Sequence, residues 1–587
     1  MPESKPAASS ARKRGLLNVK DTIESVIVAF ILAFVFRAFV AEAFVIPTGS
    51  MAPNLYGVHR MMTCSACGME YAYGFSPAPA GKLVPPNKLI CPNCGYGGDE
   101  KVTTNPDNGD RIFVLKWLFD VGRMLPDVDN HGPRQWWHVF KPCRWDVVVF
   151  KDPNDGTTNF IKRLIGLPGE VLEIIDGDIY SADASALAED EHGRSLLARL
   201  EQDHTRYREL TPQERRTLDQ ALRIQRKTDR AQGVLWLQAY NHDFLPVNKP
   251  SLAQWRPTDE ASGWDTKHRK LRFDPNGSGE HHQIEFVRDR PEWLDENGGP
   301  LASHPVTDIY AYNGSRWSYP LAGTSESRLD VSDLRLRCLL FPRGGDGQLT
   351  LSITKRDDRF VALIASDGRV ELTRSSLDRP KDKPVLIGQV RIDPLVRDKP
   401  VDLGLTNVDY RVTVWVEGDP VLQTTDDQYP VLDEGGPRSL AAYARRLDPV
   451  AGNAAPQIRI GASGMGLELW HVVIERDVYY RTPRDRGASM GHGVQGNPIY
   501  LRNQPERGIQ EYYCLGDNSP LSKDSRLWNT AGPHLTHRFA TGEYQLGTVP
   551  ADQMIGRGFL VYWPAGYPLI QERLPLIPNV GDMRLIR

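Results

Sequence analysis

The sequence predicts a mainly β protein with an N-terminal transmembrane helix, whose β core is interrupted by a cysteine-rich ribbon-like insert, a helical segment and a β-sandwich (jelly-roll) insert. Three observations support this prediction. An apolar run at residues 23–40 has the length of a membrane-spanning helix. Four cysteines form two Cys-x-x-Cys pairs. Short runs of alternating apolar and polar residues recur over residues 271–480 and are typical of paired strands.

Length and composition indicate several soluble domains. The chain has 587 residues, and at about 150 residues per domain we expect three or four units. Hydrophobic residues make up 40% and charged residues 25%, as in ordinary globular proteins. The formal net charge is -3, so the chain has no overall basic field for the phosphates of nucleic acid. We therefore expect no nucleic-acid partner.

The apolar run IESVIVAFILAFVFRAFV predicts a single-pass anchor over residues 23–43. Lysines and arginines precede it, which places residues 1–22 in the cytoplasm and the rest of the chain across a bacterial-type plasma membrane. A cleavable secretory signal is the alternative, because Ala41 and Ala43 suit such a cleavage site. The run exceeds the roughly 7–15 residues of a signal core, which favours the anchor. Either interpretation exports the remaining chain.

The segment after the anchor, FVIPTGSMAPNL, frames Ser50 with Gly49 and two prolines. These neighbours force a sharp turn around the serine. On its own, such a turn more often belongs to a juxtamembrane linker, unless other segments supply a base.

A lysine in an apolar strand supplies that base. The runs GDRIFVLK at 109–116 and WDVVVFKDP at 145–153 predict strands, and FIKRLIGLPGE at 160–170 predicts a third that contains Lys162. A lysine accepts a proton from serine only when it is neutral, and burial lowers its pKa toward that state. A surface lysine is the alternative. Because Lys162 and Arg163 point to opposite faces, we expect one of them to look inward.

The loop LGDNSPLSKDSR at 515–526 brings further polar groups. Asp524 and Arg526 can pair, and a serine hydroxyl beside them can hydrogen-bond an amine. A solvated polar loop is the alternative interpretation.

In this order, these segments resemble the type I signal peptidase family. FVIPTGSM after an anchor is similar to the nucleophile box of that family, FIKRLIGLPG to its lysine box and GDNSPLSKDSR to its closing box. The resemblance implies a serine endopeptidase with Ser50 as nucleophile and Lys162 as general base of a Ser/Lys dyad. It further implies that Ser522 orients the lysine, while Asp524 and Arg526 support the site.

The resemblance also implies the reaction. Lys162 takes the proton of Ser50, the serine attacks a peptide carbonyl, and Thr48 with the Ser50 amide holds the oxyanion. No cofactor is needed for catalysis. The implied partners are the lipid bilayer and exported preproteins, which are cut after small residues near the membrane during signal peptide processing.

Three departures from the family pattern accompany the match. Asn54 stands where the nucleophile box usually has threonine, and Glu170 where the lysine box usually has aspartate. Ser519 and Pro520 replace an Arg-Asp pair in the closing box. None removes a catalytic group, but the last leaves the geometry of the closing loop open.

The two Cys-x-x-Cys pairs predict a structural zinc site. A glycine follows each second cysteine, as in knuckle turns around a tetrahedral thiolate site. Four protein ligands would leave no position for a catalytic water. Disulfides in an oxidising compartment are the alternative. The expected ligands are Cys64, Cys67, Cys91 and Cys94.

Residues 171–514 are too long for a loop and predict folded insertions. The charge-rich stretch 185–232 favours helices, one of which starts with a capping box at Thr211. The later strands include a hairpin at Asp367 and Gly368, and they resemble concanavalin or laminin-G-like jelly rolls. This sandwich could bind a glycan, a protein or a wall polymer, or act as a spacer.

The predicted units follow one another along the chain. They are a cytoplasmic tail at 1–22, the anchor at 23–43, core segments at 44–57 and 105–180, the ribbon at 58–104, a helical insert at 181–265, the sandwich at 266–485 and the final core segment at 486–587, which ends in a strand pair at 549–564.

The sequence leaves two alternatives to the signal peptidase function. One is a catalytically silent, membrane-tethered binding protein that uses the sandwich. The other is a self-cleaving peptidase of the repressor type. The presence of both Ser50 and Lys162 argues against the first. The second does not fit, because the segment before the dyad is an apolar helix and contains no DNA-binding region.

Overall fold

The computed structural model describes residues 8–119 and 141–587, apart from short stretches within 78–105 and 247–310 and apart from residues 203–209, 314–328, 432–454, 482–490 and 566–578. The described chain is mainly β, as predicted, and its strands form several antiparallel sheets.

The helix Ala8–Val35 opens the described chain and continues as a π-helical turn, Phe36–Val40. From Ile23 onward its large apolar side chains are exposed. Among the described residues, none of the helices combines the length and the apolar character needed to cross a membrane. The strand Ala41–Val45 follows at once and pairs along its whole length with Arg111–Leu115. Removal of the chain up to residue 43, the alternative considered above, would therefore cut this strand.

The core sheet joins both ends of the chain. Met554–Trp563 lies between Arg111–Leu115 and Val147–Lys151, so the closing segment of the sequence completes a sheet begun near its start. The inserts lie between strands that pair directly with each other: the ribbon between Ala41–Val45 and Arg111–Leu115, and the longer insertion between Asn159–Gly166 and Ile509–Leu515. In spatial order its strands are Ala41–Val45, Arg111–Leu115, Met554–Trp563, Val147–Lys151, Asn159–Gly166, Ile509–Leu515 and Asn503–Gln504, with Val549–Pro550 beside Ile509–Leu515 and Arg584–Leu585 beside Met554–Trp563.

A second, smaller sheet carries the helical insert. Thr211 accepts a hydrogen bond from the Glu214 amide, and the Glu214 side chain accepts one from the Thr211 amide, which confirms the predicted capping box. The strands of this sheet are Arg223–Ile224, Asp178–Asp183, Glu170–Ile175 and Ile499–Leu501. The helices are Ala184–Leu187, Glu191–Gln202, Pro212–Ala221 and Asp229–Leu235.

The sandwich consists of two sheets around one shared apolar core. The predicted hairpin is present, with Gly368 at a positive φ between two paired strands. One sheet contains Trp264–Asp265, Leu271–Phe273, Gly466–Arg476, Leu334–Gly344, Val401–Val408, Arg411–Val416 and Asp419–Gln423, with Leu237–Asn241 also on Gly466–Arg476. The other contains Trp255–Pro257, His282–Phe286, Ile458–Ser463, Gln348–Lys355, Asp358–Ala365, Arg369–Ser376 and Val385–Arg391.

These sheets begin at Leu237, before the predicted boundary at residue 266. The early strands Trp255–Pro257 and Trp264–Asp265 have three and two residues, too few to show an alternating pattern. The remaining short elements are the ribbon strands His59–Thr63, Glu70–Gly74, Ser76–Pro77 and Leu83–Val84, the pair Arg290–Leu294 and Pro300–Leu301, the helix Thr536–Ala540, and the 3-10 turns Gly49–Met51, His242–Phe244, Ala311–Asn313, Pro505–Arg507, Ser525–Leu527, Ala551–Gln553 and Val580–Asp582.

A buried charge network joins the small sheet to the sandwich. Lys355 pairs with Asp333 and with Asp178, and Lys227 pairs with Asp409 and Asp477. The carboxylates of Asp178, Asp333 and Asp409 lie close together. The two lysine ammonium groups face four carboxylates, because Asp477 joins these three, so the pairing offsets about half of the negative charge if all four are ionised.

Candidate active site

The nucleophile turn is a 3-10 helix, Gly49–Met51, that follows the extended residue Thr48. Ser50 lies in it and is buried, whereas Thr48 is exposed. The leading amides of a helical turn have no partner within the turn itself. The amide of Ser50 is one of these, so a backbone donor lies beside the serine hydroxyl.

Lys162 reaches this serine from the strand Asn159–Gly166 in the middle of the core sheet. Its Nζ lies 2.8 Å from the Oγ of Ser50. It also donates a hydrogen bond of 2.9 Å to the carbonyl of Ile161. Only 3% of the Lys162 surface is exposed. The surface-lysine interpretation is therefore wrong for this residue.

Burial lowers the pKa of Lys162 to about 8. The carboxylates of Asp524, Asp152 and Asp517 act in the opposite direction, because they favour the charged amine, but they do not outweigh desolvation. A pKa near 8 leaves a useful fraction of neutral amine close to neutral pH, as a general base requires.

Arg163 is buried as well, so both cations are covered, although the sequence indicated only that one of them looks inward. Its Nε and Nη2 donate to the two carboxylate oxygens of Asp517 at 2.8 Å each. The amide of Asn54 donates to the same carboxylate at 2.8 Å. Lys162 thus meets the nucleophile turn, whereas Arg163 meets Asp517 of the closing loop, residues 515–526.

The closing loop is fixed by a second buried ion pair. Arg526 donates to both oxygens of Asp524, at 2.8 and 2.7 Å. Asp524 also accepts a 3.0 Å hydrogen bond from the amide of Gly516. Ser519, one of the departures from the family pattern, accepts a 2.7 Å hydrogen bond from Arg526. The loop thus has a defined geometry, and Ser519 contributes to it.

Asn518 connects the closing loop to the nucleophile turn. Its backbone amide donates to the carbonyl of Ser50 at 3.0 Å, and its side chain donates to the carbonyl of Gly49 at 2.9 Å. No role for Asn518 was predicted from the sequence. A buried asparagine next to the Asp517 ion pair has no local signature, since these two acceptors lie more than 460 residues away in the sequence.

Ser522 lies against Gly516 beside this contact. A Cβ atom at Gly516 would lie 2.2 Å from the Oγ of Ser522 and 2.4 Å from the carbonyl oxygen of Ser50. The Oγ is buried and makes no hydrogen bond among the described residues. The structure therefore brings Ser522 to the nucleophile turn without a hydrogen bond to Lys162.

The four cysteines of the ribbon converge on one point. Their sulfur atoms lie within 4.8 Å of one another, and two pairs are 3.7 Å apart. A disulfide needs about 2.05 Å, whereas zinc with bonds of about 2.3 Å gives a tetrahedral edge near 3.8 Å. Gly68 and Gly95 donate to the carbonyls of Cys64 and Cys91 in two matching turns with positive φ. The donor set fits a structural zinc ion and does not fit disulfides.

Comparison with known proteins gives a family match for the part of the chain that contains Ser50 and Lys162. Residues 19–229 match the family described as "Signal peptidase, peptidase S26". This part of the chain is similar to the signal peptidase family. The match confirms the resemblance stated from the motifs, and it covers Ser50, Lys162 and the four ribbon cysteines.

Curated relatives that match this region carry the name Signal peptidase I. The protein from Rickettsia bellii (strain OSU 85-389) is 27% identical over 180 residues, which cover 30% of this chain and 45% of that protein. The protein from Rickettsia rickettsii (strain Sheila Smith) is 54% identical over 76 residues, which cover 13% of this chain and 29% of that protein. The chain thus spans less than half the length of these relatives.

Solved structures with similarity to the chain include two carbohydrate-related proteins. The carbohydrate-binding module CBM66 from Bacillus subtilis is 9% identical, with a TM-score of 0.22, and covers 38% of this chain and 96% of its own. The β-glucanase from Bacillus licheniformis is 8% identical, with a TM-score of 0.22, and covers 38% of this chain and 92% of its own.

Proposed function

We propose that the chain is a membrane-bound type I signal peptidase, which removes signal peptides from exported preproteins by acyl transfer at Ser50. The observation that carries this proposal is the buried 2.8 Å contact between the Oγ of Ser50 and the Nζ of Lys162. The contact pairs a nucleophile with a base whose pKa burial has lowered to about 8. A catalytically silent protein would gain nothing from a buried lysine that contacts a serine hydroxyl at a lowered pKa.

The proposed reaction has two halves. Neutral Lys162 takes the hydroxyl proton of Ser50, and the Oγ attacks the peptide carbonyl while the Ser50 amide and the Thr48 hydroxyl bind the oxyanion. The C–N bond breaks, and Lys162 gives its proton to the leaving amine. Lys162 then takes a proton from water, which hydrolyses the serine ester and restores the enzyme. Ser522, which lies beside the nucleophile turn, would orient the lysine once substrate is bound.

The supporting residues act through geometry. Asp524 and Arg526 hold the closing loop that carries Asn518 and Ser522, and they are paired and buried together. The Arg163–Asp517 pair fixes the opposite face of the lysine strand. We assign these residues to positioning, because none of them contacts the Oγ of Ser50 in the described structure.

Membrane attachment is proposed for the helix that precedes the first core strand. The supporting observation is a band of exposed apolar side chains on this helix, among them Phe30, Leu32 and Phe34, at 61–65% exposure. Such a surface is unfavourable in water. The basic residues before it place the N-terminus in the cytoplasm and the active site on the far side of a plasma membrane.

Cleavage of a preprotein by the full chain in detergent tests this function. The substrate carries small residues in an Ala-x-Ala arrangement, and its matched control carries tryptophan in place of the alanine before the scissile bond. The proposal expects a product whose mass corresponds to cleavage after the small residue, and no such product from the control. Absence of cleavage from both, with folded protein, would contradict the proposed function.

The pH dependence of cleavage should follow the lysine. Because Lys162 must be neutral, kcat/KM is expected to rise about tenfold per pH unit below about pH 8 and to level off above it. A lysine with its ordinary pKa would keep the rate rising beyond pH 9. Initial rates between pH 6 and 10 distinguish these results, and a continued rise past pH 9 would contradict the lowered pKa.

Zinc is proposed as the occupant of the ribbon, with a structural role. One zinc ion per purified chain is expected by elemental analysis, and the Cys91→Ser variant should lose it together with the fold of the ribbon. The matched control is Cys143→Ser, which changes a cysteine outside the cluster and should leave the zinc content unchanged. Zinc-free wild-type protein with a folded ribbon would rule out the site.

A further inference from the structure

A short 3-10 turn, Ala311–Asn313, reaches from the insertions onto the nucleophile turn. The described chain just before it is held in place, because Asp308 is buried and accepts a 2.7 Å hydrogen bond from Arg481. Two side chains of the turn, those of Tyr312 and Asn313, contact residues of the active site. Neither lies in a segment that resembles a signal peptidase motif.

The ring of Tyr312 fills the space between the nucleophile turn and the ribbon. A Cβ atom at Gly49 would lie 1.9 Å from Cε1 of this ring, and one at Gly74 in the ribbon would lie 2.5 Å from the same atom. The hydroxyl donates a 3.1 Å hydrogen bond to the carbonyl of Val58. The ring therefore touches the backbone that precedes Ser50 directly, and it does so because both walls present glycine.

Asn313 is fully buried and forms a reciprocal amide pair with Asn518. Its Nδ2 donates to Oδ1 of Asn518 at 2.9 Å, and Nδ2 of Asn518 donates back at 2.8 Å. Nδ2 of Asn518 also donates to the carbonyl of Gly49. Asn313 thus fixes the side chain that holds this carbonyl.

The carbonyl of Gly49 and the amide of Ser50 belong to one peptide unit. A peptide unit is planar and trans, so the direction of its C=O sets the opposite direction of its N–H. That N–H is the backbone donor proposed for the oxyanion. A residue that fixes the Gly49 carbonyl therefore also aims the oxyanion donor.

We propose that Tyr312 and Asn313 are positioning residues that aim the Ser50 amide at the oxyanion, so that the insertion completes the active site. This inference rests on the proposed peptidase function. It gives the insertion a role in catalysis in addition to any role of its sandwich as a spacer or binding surface.

The inference predicts a loss in kcat with little change in KM. An oxyanion donor acts mainly in the transition state, so its misalignment lowers kcat and kcat/KM equally. For Tyr312→Ala and Asn313→Ala we expect kcat to fall by about 10- to 100-fold. Tyr312→Phe keeps the ring and loses only the hydrogen bond to Val58, so it should retain most of the activity. Asn313→Asp tests the amide pair at almost unchanged volume and should behave like Asn313→Ala.

Matched controls separate positioning from general stability. Asn407→Ala and Tyr429→Ala remove the same residue types from equally buried places in the sandwich core. They should lower the thermal midpoint and leave kcat and KM unchanged below the unfolding transition. Wild-type kcat in folded Asn313→Ala and Asn313→Asp, with an active wild type, would overturn this inference alone. An inactive wild type would overturn the proposed function and this inference together.

Discussion

Replacement of Lys162 by methionine is expected to abolish cleavage and to stabilise the fold. Loss of the base should reduce kcat by at least about 10⁴-fold, because the serine and its base act as one unit. The stability gain follows from the lowered pKa. Below pH 8 the buried amine is protonated, and a shift from 10.5 to about 8 corresponds to a cost of about 3 kcal/mol at pH 7. This cost diminishes as the pH rises from 8 to 10.5. In this range the folded state has lost the charge of Lys162, while the unfolded state still carries it.

The control for this variant is Lys151→Met on the adjacent strand, where the lysine is exposed. It should change neither turnover nor the thermal midpoint appreciably. The measurements are preprotein cleavage at pH 8 and thermal unfolding at pH 7 and pH 10. Turnover retained by Lys162→Met would exclude the lysine as base. A variant less stable than wild type at pH 7 would exclude the buried, charge-destabilised lysine.

Replacement of Arg163 by methionine is expected to lower the free energy of unfolding of the core by about 3–5 kcal/mol. The change leaves the carboxylate of Asp517 without its bidentate partner, and this carboxylate is fully buried. A buried charge without a partner costs far more than the net gain from the intact pair. Chemical denaturation followed through a probe in the core measures the effect.

Two comparisons identify the cause of that loss. The double variant with Arg163→Met and Asp517→Asn removes both charges and should recover part of the stability. Arg369→Met breaks a partly exposed ion pair with Glu371 and should change the stability by less than about 1 kcal/mol. Equal losses from Arg163→Met and Arg369→Met would contradict the account of the buried pair.

Much of the fold could be predicted from local sequence patterns. The strands around Lys162, the capping box at Thr211 and the hairpin at Gly368 each depend on neighbouring residues, and each is confirmed. The apolar period of a strand, a cap and a turn are short-range effects that a single sequence displays. The proximity of the four cysteines could be predicted for the same reason, because the spacing of a knuckle turn is local.

Contacts across the chain could not be predicted in this way. The sequence indicated that one of Lys162 and Arg163 looks inward, but it did not indicate that both are buried. Arg163 is buried together with Asp517, a partner 354 residues away. Asn518 and Asn313 meet across 205 residues, and no local pattern indicates either partner. The sandwich starts earlier than expected, since strands such as Trp264–Asp265 are defined only by their pairing.

Cleavage of one preprotein by the wild type and by Ser50→Ala, read as product mass, tests the central claim most directly. The account predicts a single product cut after the small residue with the wild type. With Ser50→Ala it predicts no product above the uncatalysed background, at an unchanged thermal midpoint and zinc content. The same product from folded Ser50→Ala at the wild-type rate would show that this serine is not the nucleophile.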